Sequence, residues 1–158
     1  MSMKFYPSSD YQKKCQSQFD VYRQQVLSQL PNAKVEHIGA SSITGAISKG
    51  DLDIFVGVPA AEFESSVTRL QTLEFKEKPD TLRTESLCML EHLNQDIALQ
   101  VVALGSEFEC FLAFRNALNQ SPKLVAQYNA LKMSCEGLTH EAYREKKSAF
   151  IEQVLSLV

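Results

Sequence analysis

Between Val35 and Val58 the chain reads VEHIGASSITGAISKGDLDIFVGV, and this stretch constrains the fold more than any other. Val35 to Ile38 is short and β-branched, Gly39 interrupts it, and Ala40 to Lys49 is small and rich in hydroxyls. Asp51-Leu52-Asp53-Ile54-Phe55-Val56 follows. The pattern predicts strand, loop, strand. Side chains along a strand alternate faces, so Asp51 and Asp53 share one side while Leu52 and Ile54 take the other. Two carboxylates so close repel unless a cation lies between them, and clustered oxygen ligands suit a hard divalent ion such as Mg2+. The same alternation marks the solvent face of an edge strand, and spacing alone favours that plainer reading.

The loop before the pair adds a second component. Gly39, Ala40, Ser41, Ser42 and Gly45 make a backbone that a ligand can approach closely, with N–H groups and two hydroxyls for phosphate oxygens. Ser41 and Ser42 also fit as caps of a turn beginning near Ile43, a use that still leaves N–H groups facing a phosphate. Lys49 either pairs with Asp51 or reaches a phosphate, or it is a solvated loop lysine. His37 lies on a strand with buried neighbours and reads as a hydrogen-bonded structural histidine.

Composition bounds what such a site can belong to. A chain of 158 residues, 44% hydrophobic, supports one substantial core and predicts a single domain over residues 1–158. Charged residues make up 22% with both signs dispersed and a net charge of −3, which excludes wholesale nucleic-acid coating or an anionic-membrane protein while leaving room for a local basic pocket. Cys15, Cys88, Cys110 and Cys135 are widely spaced, without C-x-x-C pairs, and read as reduced buried thiols. Met1 to Lys4 leads into no apolar run, and no stretch is long and apolar enough to span a bilayer. A cytoplasmic protein without a membrane partner is therefore expected.

Around the central stretch, the periodicity predicts an α+β fold: a mixed sheet with flanking helices and a C-terminal helical segment. Ser8-Ser9-Asp10 offers caps for a helix whose apolar stripe is Cys15, Phe19, Tyr22, Val26 and Leu30. Pro59 suits the start of another, with Phe63, Val67 and Leu70 inward. Glu74 to Lys78, Ser86 to Leu93 and Ile97 to Leu104 read as strands parted by Pro79-Asp80 and Asn94-Gln95, short connections that favour antiparallel neighbours. Ser106 to Glu109 has the form of a capping box opening a helix, and Ser121-Pro122 opens the next, which Gly137 stops. Thr139 starts the last, with Tyr143, Phe150, Val154 and Leu157 as its buried stripe. The three C-terminal helices are expected to dock on the same core. Arg115, Lys132 and Lys147 lie on or beside apolar faces, where a cation needs a partner or a pocket. One reading pairs them with the acidic strand or nucleotide phosphates, the other with salt bridges tying the tail to the sheet.

The order small residue, Gly, small residue, a short spacer, then acid-apolar-acid on a strand resembles the polymerase-β-like nucleotidyltransferase superfamily, and within it EHIGASSITGAISKGDLDI resembles the GrpB-like family. Phe114-Arg115-Asn116, Tyr128 with Leu131-Lys132, and Tyr143 followed by Lys147 and Phe150-Ile151 fall in that family's order and carry the resemblance over nearly the whole chain. It implies a nucleotidyltransferase-like fold that binds a nucleoside triphosphate and Mg2+ and transfers a nucleotidyl group to a small-molecule, protein or RNA acceptor. Asp51 and Asp53 would then be catalytic and metal-binding, with Gly39, Ala40, Ser41, Ser42, Lys49, Arg115 and Lys132 holding the nucleotide. The chain departs from the pattern at Ala40, where Gly or Ser is usual, and at Thr44 and Gly50, where Pro is common. It departs again on the strand of the third ligand, where Ala98 and Gln100 stand in the place of a His-apolar-His pair. The alternative function is a nucleotide-binding or regulatory module of the same fold with reduced chemistry. Asp96 falls on the same strand face as Ala98 and Gln100 but too far along to replace them, so a two-carboxylate metal site completed by water and phosphates is expected.

Overall fold

A computed structural model describes residues 4–157. Its frame is a five-stranded sheet in the order β1-β2-β5-β4-β3, where β1 is Lys34–Ile38, β2 Leu52–Val58, β3 Phe75–Glu77, β4 Leu87–His92 and β5 Ile97–Ala103. β2 and β5 run parallel and the remaining neighbours antiparallel, so the sheet is mixed and the fold α+β. The helices are α1 Ser8–Gln29, α2 Phe63–Leu70, α3 Cys110–Asn119, α4 Pro122–Ser134 and α5 His140–Leu155.

Alternation along β2 and β5 decides the layers. Leu52, Ile54, Val56 and Val58 join Ile97, Leu99, Val101 and Ala103 on one face, covered by Cys15, Phe19 and Val26 of α1 and by Phe63, Val67 and Leu70 of α2. Each such side chain withdrawn from water contributes about 1.5–3 kcal/mol before entropy is charged against it. Phe55 and Val102 point the other way and meet Ile38, Leu87 and Leu112 of α3. The C-terminal helices meet expectation only in part: α3 docks on the sheet through Leu112, but most of the helical core is a cluster of its own. In it Phe114, Leu118, Val125, Tyr128 and Val154 enclose Ile43 and Ala46 of the loop before β2. The tail therefore packs on the loop.

Helix ends account for the other differences. Ser8-Ser9-Asp10 do not cap α1. Pro7 stands at the N-cap with extended backbone, and its carbonyl accepts the Asp10 N–H at 3.0 Å. The Ser106 box does not close either. A 3-10 turn over Glu107–Glu109 comes first, Glu109 accepts from the Gly105 N–H at 2.7 Å, and the Ser106 hydroxyl has no partner among the described residues. Ser121 and Thr139 do cap α4 and α5, through the N–H groups of Leu124 and Ala142. Leu157 lies past the end of α5 and is exposed. The Asn94-Gln95 turn takes its hold from His92, whose Nδ1 accepts both N–H groups at 3.0 Å.

Candidate functional site

The strand β1 ends at Gly39, whose φ of +75° belongs to the left-handed region. A Cβ at this position would stand 2.5 Å from Asp53 Oδ2, so the backbone lies against one carboxylate with no side chain between. Ala40–Ser42 then form a 3-10 turn, closed by Ser42 N–H to the Gly39 carbonyl at 3.0 Å and Ile43 N–H to the Ala40 carbonyl at 3.1 Å. That turn starts three residues earlier than Ile43. The hydroxyls expected to face phosphates are used within it: Ser42 Oγ donates to the Gly39 carbonyl at 2.6 Å, and Ser41 Oγ shares a 2.8 Å bond with His37 Nε2. His37 is thus a structural histidine.

The rest of the loop is pinned from several helices. Gln12 of α1 donates to the Ile43 carbonyl, and Tyr11 to that of Ala46. Asn119 of α3 accepts from Thr44 N–H, and Asn129 of α4 accepts from Ile47 N–H while donating to the Gly45 carbonyl. Lys132 of α4 donates to the Ile47 carbonyl at 2.7 Å. Sequence reasoning missed both asparagines, because an Asn on a helix carries no mark of a partner some eighty positions away in the chain.

Asp51 and Asp53 open into one pocket of about 30 Å³, together with Ala40, Ser48, Lys49, Lys132, Tyr143 and Lys147. Asp53 sits on β2 between Ile38 of β1 and Ala98 of β5. Among the described residues neither carboxylate makes an ion pair. Burial, and then the Asp51 carboxylate, push the Asp53 carboxyl well above the usual range, against the pull of Lys147 and Lys49. The Lys132 amine is fully buried over the Tyr128 ring, 3.9 Å from its centroid. Burial, and then repulsion from Lys147, hold it down to about 6, with Asp51 opposing. Lys49 and Lys147 flank the Tyr143 ring at 5.8 and 5.7 Å. Tyr143 and Lys147, four residues apart on one face of α5, are pocket residues that the sequence reading did not assign to the site, although their spacing could have pointed to them.

Of the two readings of Arg115, the structure shows the salt bridge. Arg115 does not line the pocket but donates through Nη1 to Glu36 Oε1 and to the His37 carbonyl, both at 2.9 Å, and through Nε and Nη2 to Asn116. Its place on α3 faces the outer strand, so it ties the tail to the sheet. The third-ligand strand is equally informative. Ala98 pairs with Asp53, whereas Gln100 pairs with Phe55, is 8% exposed and leaves its Oε1 without a partner among the described residues. Among the described residues no three His, Cys, Asp or Glu side chains converge as a metal site.

A mixed sheet with acid-apolar-acid leading into its second strand and a glycine turn laid against it defines a nucleotidyltransferase-like α+β domain. The fold is similar to the Cid1 poly(U) polymerase in a MgGTP-bound crystal structure (TM-score 0.56, 13% identity, 82% of this chain and 41% of that one). The chain itself belongs to the GrpB protein family, whose model matches residues 9–157. It is similar to a UPF0157 protein of Vibrio cholerae, 55% identical over 98% of this chain and 82% of the relative, and to one of Deinococcus radiodurans, 30% identical over 88% and 74%. The crystal structure of the conserved protein GrpB from Enterococcus faecalis is similar at a TM-score of 0.75 and 22% identity, over 96% of this chain and 94% of that one. Among the described residues no helix is long and apolar enough to cross a membrane.

Proposed function

We propose that the Asp51–Asp53 pocket receives the phosphate end of a nucleoside triphosphate with Mg2+, and that the protein transfers a nucleotidyl group to a small-molecule, protein or RNA acceptor. The observation that carries this reading is the bare Gly39 backbone set against Asp53 of β2, with Asp51, just before that strand, opening into the same pocket. A fold shared with a polymerase described as MgGTP-bound supports it. Mg2+ commonly takes one or two protein carboxylates and fills its remaining positions with water and phosphate oxygens. Two acids and no third fit that usage, and bound there the ion would supply neutralisation of phosphate charge. Asp51 and Asp53 would hold it, Lys49 and Lys147 would bring positive charge to the phosphates, and Tyr143 would exclude water from the pocket wall. About 30 Å³ has room for an ion or a single phosphate oxygen, so base and ribose would extend outside the pocket.

One observation favours a second reading, a nucleotide-binding or regulatory module with reduced chemistry: Ala98 occupies the place beside Asp53 where a further carboxylate would complete the site. Calorimetry with ATP, GTP, CTP and UTP, with and without Mg2+, separates the two. The transferase reading expects triphosphate binding that depends on Mg2+ and is lost in Asp53→Asn with the fold retained. Metal-independent binding favours the module, and no binding of any triphosphate defeats both.

A further inference from the structure

The Ala40–Ser42 turn walls two cavities. Ala40 lines the carboxylate pocket, while Ser41 and Ser42 line a larger cavity of about 260 Å³ that also takes in Gln12, Lys13, Gln16, His37 and Thr44. No carboxylate and no apolar side chain lines this second space, among the described residues. Its hydrogen bonds show what the wall has left to offer. Gln12 Nε2 donates to the Ile43 carbonyl at 2.8 Å, and Gln16 Nε2 to Asp20 Oδ1 at 3.2 Å. Ser42 Oγ donates to the Gly39 carbonyl, and Ser41 Oγ is shared with His37. The capacity that remains is mixed: the two amide oxygens and the lone pairs of the Ser42 and Thr44 hydroxyls accept, while one spare N–H on each amide, the Thr44 hydroxyl and the Lys13 ammonium donate. His37 adds no charge, because burial and then the Arg115 guanidinium hold its imidazole down to about 4, and its ring is stacked on Phe19.

A ligand for such a wall must both donate and accept hydrogen bonds without being a cation, since Lys13 supplies the only formal charge in the lining among the described residues. It must also be smaller than a drug-sized molecule, whose pockets start at about 300 Å³. Hydroxyl groups meet these terms: they donate to amide oxygens and accept from the lysine. We propose that this cavity binds a polyhydroxylated group of monosaccharide size, neutral or singly anionic. Its role as the acceptor in transfer rests on the reading above, but its binding does not.

The test is a titration of the isotope-labelled protein with ribose, glucose, myo-inositol and glucose 6-phosphate, without nucleotide or Mg2+, followed by two-dimensional NMR. At least one is expected to bind, with amide shifts centred on Gln12, Gln16, Ser42 and Thr44. Gln16→Leu, an exposed substitution that leaves the loop contacts alone, should weaken it about five- to tenfold. Gln12→Leu should do the same, with thermal unfolding as the control for loss of the Ile43 bond. Failure of all four compounds to bind at tens of millimolar overturns the proposal. So do shifts centred on Lys49 to Asp53, or binding unchanged in both variants. A sugar bound normally by a protein that binds no triphosphate leaves this site standing and removes the transferase reading.

Discussion

Gly39 answers two demands at once, a left-handed backbone and a 2.5 Å approach that no Cβ could share with Asp53 Oδ2. Gly39→Ala should therefore cost about 1–3 kcal/mol in denaturant unfolding and, by displacing the carboxylate, abolish Mg2+-dependent triphosphate binding in calorimetry. An alanine variant of unchanged stability and affinity would show that the turn is slack. Lys132 supports a pH prediction. Its amine titrates near 10.5 when unfolded and about 6 when folded. Between these values the unfolded chain carries the extra proton, so stability rises with pH across the window and the contribution is lost as pH falls toward 6. A single group sets a slope of at most about 1.4 kcal/mol per pH unit. Lys132→Met should flatten the curve of melting temperature against pH in that window; parallel curves would mean that the native amine stays charged. Much at this scale was legible. The acid pair and its glycine are local in sequence, and the lysine was conspicuous on an apolar stripe. Its acceptor, the Ile47 carbonyl, was not, because nothing in a helix names a distant loop.

Strands and helices emerged near their predicted bounds because their periods are local, whereas the helix starts at Ser8 and Ser106 were misread. Both segments carry hydroxyls suited to capping, yet Pro7 and the Glu107–Glu109 turn begin those helices otherwise. How the tail elements meet the loop depends on contacts that no period encodes. Arg115 shows the consequence: its position beside an apolar face suited a phosphate ligand and an ion pair equally, and α3 turns it toward Glu36 of β1. Arg115→Met should lower stability by about 1 kcal/mol, the scale of a partly exposed ion pair with added hydrogen bonds, while triphosphate affinity stays within about twofold. Lost affinity at unchanged stability would instead bring the guanidinium into the ligand site.

For the molecule as a whole, the property hardest to read was which strands lie side by side. Alternation in β2 and β5 assigns each a buried face, but two strands with matching faces pair in either direction and in several registers. The parallel register Asp53 to Ala98 and Phe55 to Gln100 is set by how α2, β3 and β4 pack between them in the chain. That register decides where a third carboxylate would act. Ala98 shares the face of Asp53 and is its direct neighbour. Gln100 shares the face too but lies a pleat further on, buried opposite Phe55 and Met89. Ala98→Asp should therefore tighten Mg2+ or Mn2+ binding to the nucleotide-free protein at least about tenfold, equivalent to 1.4 kcal/mol, because a third oxygen ligand raises the charge and count of the site. Gln100→Asp should bring no such gain and should destabilise the fold by about 3 kcal/mol, since it places a carboxylate where even the present amide oxygen finds no partner among the described residues. Metal titration and denaturant unfolding of the two variants decide the matter. A gain at position 100 instead of 98 would mean that the strands are offset by one pleat from the register described, and the assignment of Asp53 as the acid nearest a third ligand would fall with it.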